Sequence, residues 1–125
     1  MGAQEQRFTV GGEGGTVVHV CWSPAIVLAD SDGHSLTSAL NLALPGQRAH
    51  LLMFLNGMVS FSHQALSYFA KRAPVSAIAL VGPSVLDQKL VDLYLELYEP
   101  PFAVGYFELE AAARLWLAQQ PTLTL

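Results

Sequence analysis

Two runs of consecutive apolar residues constrain the fold of this chain more than any other feature of its sequence. The runs span residues 51–55 and 77–81, and every position in them carries an apolar side chain. A strand with one face in water alternates apolar and polar residues, so an unbroken run indicates a strand that is covered on both faces. Strands of that kind lie inside parallel sheets, and the two runs therefore predict an α/β fold.

Helical patterns precede and follow both of these strands. The predicted helices span about 30–44, 62–73, 84–98 and 108–119, and the predicted strands span 7–10, 16–22, 51–55, 77–81 and 102–107. Four glycines among residues 11–15 separate the first two strands, which we expect to pair as an antiparallel hairpin. The alternation of strands and helices predicts a mostly parallel central sheet flanked by helices. We expect one domain over residues 1–125, with residues 1–5 disordered.

The composition argues against several classes of protein. Hydrophobic residues make up 52% of the 125 residues and charged residues 13%, which is typical of a folded domain and not of a disordered chain. The net charge is −4 and the six basic residues are scattered, so we expect no nucleic-acid partner. A membrane-spanning helix needs about 20 consecutive apolar residues, and no run in the chain approaches that length.

Cysteine usage and the first residues indicate a cytoplasmic protein. Cys21 is the one cysteine, so no intramolecular disulfide can form. Residues 1–10 lack the charged and then apolar pattern of a secretion signal. A reducing compartment is the simplest expectation, and we expect Cys21 to be a buried and unreactive thiol.

A metal site is among the weakest candidates. His19 and Cys21 lie two residues apart on a predicted strand and so share one face, where His34 or His50 could join them as ligands. Both residue types also occur in protein cores, which is the simpler explanation. We therefore predict no metal ion and no other cofactor.

The order and spacing of these elements resemble the STAS and SpoIIAA-like domains of bacteria, and more closely a group of STAS-like bacterial proteins of unknown function. The resemblance covers about residues 15–119. The residues that carry it are Val18-His19-Val20-Cys21-Trp22-Ser23-Pro24, Leu55-Asn56-Gly57, Ala77-Ile78-Ala79-Leu80-Val81, Tyr106-Phe107-Glu108 and Ala111-Ala112-Ala113-Arg114-Leu115-Trp116-Leu117. The resemblance implies a regulatory module that binds other proteins.

The sequence departs from the resembled family at its regulatory serine. In that family a partner kinase phosphorylates a serine at the start of the helix after the central strand, close to two aspartates. Phe54 and Ser62 occupy the places of the two aspartates, and His63 and Gln64 occupy the phosphoacceptor region. We therefore predict that neither Ser60 nor Ser62 is a phosphorylation switch of the family type.

Polar residues that follow the predicted parallel strands form the main candidate binding site. In open α/β sheets, ligands bind beyond the carboxyl ends of the strands. The helix starts at Ser62 and Ser84 supply free N–H groups that favour an anion. The candidate ligand-binding residues are Asn56, Ser60, Ser62, His63, Ser84 and Glu108. The alternative is structural: Ser62 and Ser84 only cap helices, and His63 lies in solvent.

Two functions compete on these grounds. The first is a non-enzymatic STAS-like interaction or regulatory module. The second is a carrier of a small molecule or lipid in an apolar pocket beside the sheet, lined by the aromatic residues Trp22, Tyr94, Tyr98, Phe102 and Trp116. Catalysis ranks third, because no acidic residue lies close to His63 in sequence to orient it toward a serine. We therefore predict no catalytic residue.

The helix predicted over residues 84–98 indicates self-association. One apolar stripe, suited to face the sheet, consists of Leu86, Leu90, Leu93, Tyr94 and Leu97. A second stripe of Val91, Leu95 and Tyr98 lies beside it. We predict that a twofold contact through the second stripe forms a homodimer, since cyclic dimers are the commonest oligomers. The alternative is that the chain itself covers this stripe, through residues 100–102 or its N-terminal segment.

Overall fold

The computed structural model describes residues 7–13, 15–57, 60, 62–82 and 85–123, with the backbone alone at 85–88 and 90. Its strands are β1 (Phe8–Gly12), β2 (Val17–Trp22), β3 (Ala49–Phe54), β4 (Val75–Val81) and β5 (Ala103–Phe107). Its helices are α1 (Asp32–Ala43), α2 (His63–Arg72), α3 (Val85–Tyr98) and α4 (Glu110–Ala118). The predicted α/β fold class is confirmed. None of the helices within the described ranges is long and apolar enough to cross a membrane.

The five strands form one sheet in the order β1-β2-β3-β4-β5. β1 pairs with β2 in antiparallel fashion and the remaining pairs are parallel, which confirms the predicted N-terminal hairpin and parallel centre. Leu51 lies opposite Val18 on one side and Ile78 on the other, so β3 is the middle strand. β1 reaches Gly12, so Gly11 and Gly12, which the sequence assigned to the turn, belong to the ladder instead.

Both faces of the sheet are covered, as the two apolar runs predict. The connections between consecutive parallel strands carry α1, α2 and α3 on one face of the sheet, and α4 packs on the other face. The larger core lies under the three helices, where Val20, Leu40 and Leu51 are at most 1% exposed. The smaller core lies under α4, where Leu52 and Ala113 are fully buried.

The two central strands begin earlier than the sequence predicts. The sequence places their starts at residues 51 and 77, whereas the ladder begins two residues earlier in each strand. His50 and Ser76 are polar, yet both are buried because distant parts of the chain satisfy them. The His50 ring hydrogen-bonds Thr16 Oγ1 at 2.8 Å and the Gln120 carbonyl oxygen at 3.0 Å. Ser76 Oγ accepts the N–H of Leu123 at 2.8 Å.

The face of α3 that meets the core differs from the prediction. The sequence predicts Val91 in an outer stripe, but Val91 is 2% exposed and packs in the larger core. Leu93 and Leu97, predicted to face the sheet, are 47% and 53% exposed. Leu95 and Tyr98 are half-buried. Since the chain's own core covers Val91, this residue is not available for the predicted dimer contact, and the homodimer itself stays a prediction.

The periodicity of the last helix predicts an inward stripe of Leu109, Ala112, Ala113 and Trp116, and the structure confirms it only in part. Ala113 is buried and Trp116 half-buried, as expected, but Leu109 and Ala112 are exposed and Leu117 is buried instead. Leu109 precedes the helix as its N-cap and has an extended backbone, so its side chain does not belong to the helical face. The helix therefore turns Ala113 and Leu117 toward the sheet.

Gly33 allows α1 and α2 to approach each other closely. A Cβ atom on Gly33 would lie 2.7 Å from the carbonyl oxygen of Ala65 and 3.0 Å from its Cα. We expect Gly33→Ala to lower the free energy of unfolding by about 1 kcal/mol, because overpacking against backbone outweighs the gain from alanine in a helix. Gly12→Ala is the control, since a Cβ there meets nothing within 4 Å. Equal urea midpoints for the two variants would contradict the close approach.

Candidate functional site

An apolar cavity lies between the sheet and the three helices α1, α2 and α3. Its volume is about 60 Å³. Side chains from four strands and all three helices line it, among them Trp22, Leu36, Met53, Phe69, Tyr94 and Val104. Gly33 and Ala65, the small residues at the contact of α1 with α2, line it as well. Most of the side chains that line the cavity are apolar.

Two residues that line the cavity each carry a buried polar atom that has no hydrogen-bond partner among the described residues. These atoms are Nε1 of Trp22 and the hydroxyl oxygen of Tyr94. Trp22 is 3% exposed and Tyr94 6% exposed, so solvent does not satisfy either atom. A buried polar atom without a partner costs about 1–3 kcal/mol, and native proteins contain few of them. Burial, with a smaller effect of Tyr98, raises the pKa of Tyr94, so this phenol is protonated at neutral pH.

The carboxylate of Asp32, which also lines the cavity, is neutralised by an ion pair. Asp32 is 2% exposed and accepts hydrogen bonds from Nε and Nη2 of Arg7, each at 2.8 Å. It also accepts the N–H of Ala29 at 2.7 Å. Arg7 Nη2 donates as well to the carbonyl oxygen of Val27 at 2.5 Å, so the guanidinium ties the start of β1 to the loop before α1. The described wall of the cavity therefore carries no uncompensated charge.

A polar groove on the outer surface adjoins the cavity through two tyrosines. The rings of Tyr94 and Tyr98 lie 5.7 Å apart, centroid to centroid. The hydroxyl of Tyr98 hydrogen-bonds Nδ1 of His63 at 2.7 Å, and Lys71 and Arg72 line the same groove. His63 is exposed, but it holds the end of α3 against the start of α2.

Several residues of the predicted site at the carboxyl ends of the strands have structural contacts. Asn56 adopts a φ of 55°, and its Nδ2 donates to a backbone carbonyl at the end of β2 at 3.2 Å. The carbonyl of Ser60 accepts the N–H of Leu28 at 3.0 Å. Glu108 is exposed after β5, and Ser84 lies outside the described residues. None of the described members of this predicted set lines the cavity.

Ser62 caps α2, as the structural alternative predicts. Its Oγ accepts the N–H of Ala65 at 3.2 Å and donates to Oδ1 of Asp30. Asp30 comes from the loop before α1, so the sequence around Ser62 gives no sign of it. A phosphate on Ser62 would face this carboxylate and be repelled by it. That contact favours our prediction that Ser62 is not a phosphorylation switch, which stays a prediction.

The four residues considered as metal ligands have separate surroundings. Nδ1 of His19 hydrogen-bonds Oε2 of Glu13 at 2.9 Å. The ring of His34 lies 5.7 Å from that of Tyr68, and His50 is buried with its two hydrogen bonds. No cluster of three or more His, Cys, Asp or Glu suited to a metal ion occurs in the described ranges.

Cys21 is only half-buried, so the prediction of a buried thiol is wrong. Its partial burial raises the pKa of the thiol, and the negative charge of Glu110 raises it further. The thiolate is the nucleophilic form of cysteine. A raised pKa makes that form scarce at neutral pH.

The predicted aromatic pocket is formed only in part. Trp22 and Tyr94 line the cavity, and Tyr98 lines the adjoining groove. Phe102 is buried in the larger core without lining the cavity, and Trp116 lies on the opposite face of the sheet. No sequence pattern connects Asp32 with the cavity, because its role depends on an ion pair with Arg7, which precedes β1.

The fold and the cavity define the class of this protein: an α/β protein of SpoIIAA-like architecture with an apolar cavity beside its sheet. Residues 13–120 match the family described as Domain of unknown function (DUF7793), so the chain belongs to that family. None of the curated proteins matches it.

The SpoIIAA-like fold is confirmed by a solved structure. The chain is similar to an uncharacterized protein of the DUF3478 family with a SpoIIAA-like fold from Shewanella loihica PV-4, with a TM-score of 0.65. The two chains share 17% sequence identity, and the match covers 94% of this chain and 98% of the other. At that identity the similarity concerns the fold and not the function.

Proposed function

We propose that this chain is a non-enzymatic binding module that holds a small molecule in the cavity between the sheet and α1, α2 and α3. The cavity carries the proposal. Protein interiors pack as densely as organic crystals and contain few voids larger than a water molecule. The volume of about 60 Å³ is several times the roughly 10–15 Å³ that a cavity needs in order to hold one water molecule. An empty cavity of that size lowers stability, and a bound molecule would restore the lost contacts.

The lining favours binding over catalysis. None of the described lining residues is a Ser, Cys, His or Lys. The carboxylate of Asp32 is engaged by Arg7, and the raised pKa of Tyr94 makes its hydroxyl a poor acid at neutral pH. Nucleophilic and acid–base catalysis require such groups, suitably activated, beside the bound molecule. The side chains that line the cavity therefore suit reversible binding of a small molecule and not its chemical conversion.

The volume favours a small molecule over a lipid. Pockets for drug-sized ligands measure roughly 300–1,000 Å³, far above the 60 Å³ of this cavity. We therefore narrow the carrier hypothesis to molecules of a few heavy atoms. A sensor of such a molecule fits the regulatory role that the resemblance implies. Its protein partners and the homodimer stay predictions.

Binding is tested with 2-butanone and 2-methyl-1-butene, two compact molecules of the same shape. NMR of the methyl groups follows Leu36, Met53 and Ile78, which line the cavity, and Leu42 and Leu115, which are exposed elsewhere. We expect saturable shifts at the lining residues and none at the exposed leucines. If neither molecule produces saturable shifts at the lining residues, the proposed function is wrong.

Filling the cavity from within should weaken this binding. Val91 lines the cavity and is 2% exposed. We expect Val91→Leu to reduce the affinity for both molecules by about fivefold or more, since one surplus methylene in a packed site costs about 1–3 kcal/mol. Val27→Leu makes the same chemical change at a residue that is 56% exposed and should bind as the wild type does. An unchanged affinity in Val91→Leu would count against binding in this cavity.

A further inference from the structure

We propose that the polar groove along α2 binds an acidic segment of a partner protein. The volume of the groove is about 480 Å³. Its described lining consists of Tyr98 at the end of α3 and three consecutive pairs of α2 residues, at positions 63–64, 67–68 and 71–72. None of these residues lines the apolar cavity. The proposal therefore goes beyond small-molecule binding and concerns a second surface.

The lining residues of α2 form one continuous face of that helix. Residues at i, i+4 and i+8 are neighbours on a helix surface, so the three pairs form two adjacent rows from His63 to Arg72. At a rise of about 1.5 Å per residue, these rows extend over about 14 Å. An extended chain advances about 3.3 Å per residue, so the groove has room for about four residues of a bound segment.

Uncompensated positive charge at one end of the groove selects an acidic segment. Lys71 and Arg72 are exposed and have no acidic partner among the described residues. By contrast, Arg7 and Arg114 are engaged in ion pairs. The described lining of the groove includes no aspartate or glutamate. Clusters of basic residues recognise acidic motifs in this way at other protein surfaces.

The remaining lining residues suit the main chain and side chains of a peptide. Gln64 and Ser67 can each donate to and accept from the amide groups of a bound main chain. Tyr68 and Tyr98 are half-buried at the groove, and tyrosine is enriched at protein interfaces.

Other kinds of ligand fit this groove less well. Small molecules bind in concave and mostly apolar pockets that enclose them, whereas this groove is polar and most of its lining from α2 is exposed. A nucleic acid requires a basic surface along its phosphate backbone. Two cations on a chain with a net charge of −4 do not supply one.

The proposal is tested by NMR titration of the backbone amides with three probes. The probes are a peptide of four glutamates blocked at both ends, the same peptide made of glutamines, and tetrathymidylate as an anionic nucleic acid. The proteins are the wild type, Lys71→Glu, Arg72→Glu and the matched control Lys89→Glu. The control makes the same change of charge at an exposed lysine of α3 that does not line the groove.

We expect the glutamate peptide to cause saturable shifts at Ser67 and Lys71 and to bind about fivefold or more tightly than the glutamine peptide. Lys71→Glu and Arg72→Glu should each weaken its binding by about fivefold, because an attractive contact becomes repulsive. Lys89→Glu should stay within about twofold of the wild type. Raising the salt concentration to about 1 M should weaken the binding, since it screens exposed charges beyond about 3 Å.

Four outcomes would overturn the proposal. They are no saturable shift in the wild type, equal binding of the glutamate and glutamine peptides, equal losses in Lys71→Glu and Lys89→Glu, and tighter binding of tetrathymidylate than of the glutamate peptide. Basic residues also stabilise the C-terminal end of a helix. If that were the whole role of Lys71 and Arg72, their replacement would lower the urea midpoint and leave peptide binding unchanged, which would refute the proposal as well. None of these results bears on binding in the cavity, which has its own probes.

Discussion

Replacing Arg7 with methionine should lower the free energy of unfolding by about 3 kcal/mol, because the buried carboxylate of Asp32 loses its cation. Asp32 is 2% exposed and receives two hydrogen bonds from Arg7, each at 2.8 Å. The side chain of Arg7 is 40% exposed, so water screens part of the loss. We therefore expect the lower end of the range that is usual for broken buried pairs. The same change releases β1 from the loop before α1, since Arg7 also donates to the carbonyl of Val27.

Two variants separate the charge effect from the loss of an arginine in general. Arg72→Met removes an exposed arginine of α2 and should change stability by no more than about 0.5 kcal/mol. Adding Asp32→Asn to Arg7→Met should restore part of the loss, because it removes the unpaired charge and keeps an oxygen for the N–H of Ala29. Urea denaturation measures all of these proteins. Equal midpoints for Arg7→Met and Arg72→Met would show that the ion pair contributes little.

Tyr94→Phe should raise the free energy of unfolding of the ligand-free protein by about 1–2 kcal/mol. The substitution removes a buried hydroxyl that has no partner among the described residues and leaves the ring in place. Burying such a group without a hydrogen bond costs about 1–3 kcal/mol, and phenylalanine avoids that cost. A residue that lowers stability and is nevertheless present fits a binding role, since function commonly comes at some expense of stability.

Tyr98→Phe is the matched control for this measurement. The hydroxyl of Tyr98 hydrogen-bonds His63 at 2.7 Å, so its removal should lower stability by about 0.5–1 kcal/mol. The two Tyr→Phe changes on one helix should therefore act in opposite directions at neutral pH. A Tyr94→Phe protein that is less stable than the wild type would mean that the hydroxyl of Tyr94 has a hydrogen-bond partner in the ligand-free protein.

The two central strands of the fold can be predicted from the sequence because the apolar residues in them are contiguous. Residues 51–55 and 77–81 have no polar position that could face water, and the structure buries both strands in the middle of the sheet. The residues at which these two strands begin cannot be predicted from contiguous apolar residues. His50 and Ser76 look like boundary residues, but partners far along the chain satisfy them inside the sheet.

The orientation of α3 could not be predicted, for a different reason. Apolar residues cover most of its circumference, so more than one stripe fits the helical period. Packing selects the face with Val91 and Tyr94 and leaves Leu93 and Leu97 exposed. Periodicity identifies a buried face only when the opposite face is polar.

The candidate site is the part of the molecule that is hardest to predict from the sequence. The aromatic residues Trp22 and Tyr94 are recognisable as pocket candidates, because such side chains combine apolar area with a polar atom. Their position at one cavity depends on how α1, α2 and α3 pack over the sheet, and that packing involves the close approach at Gly33. The compensation of Asp32 depends likewise on Arg7, which lies outside its own helix. Contacts between residues that lie far apart in the chain cannot be predicted from local sequence patterns.

The most direct test of small-molecule binding is a crystal structure of the protein equilibrated with 2-butanone. We predict electron density for the ketone in the cavity between the sheet and α3, with contacts to Leu36 and Met53. Crystals of Val91→Leu treated in the same way should lack that density. A wild-type cavity that stays empty at a saturating concentration, with 2-butanone only on the outer surface or absent, would contradict the proposed function.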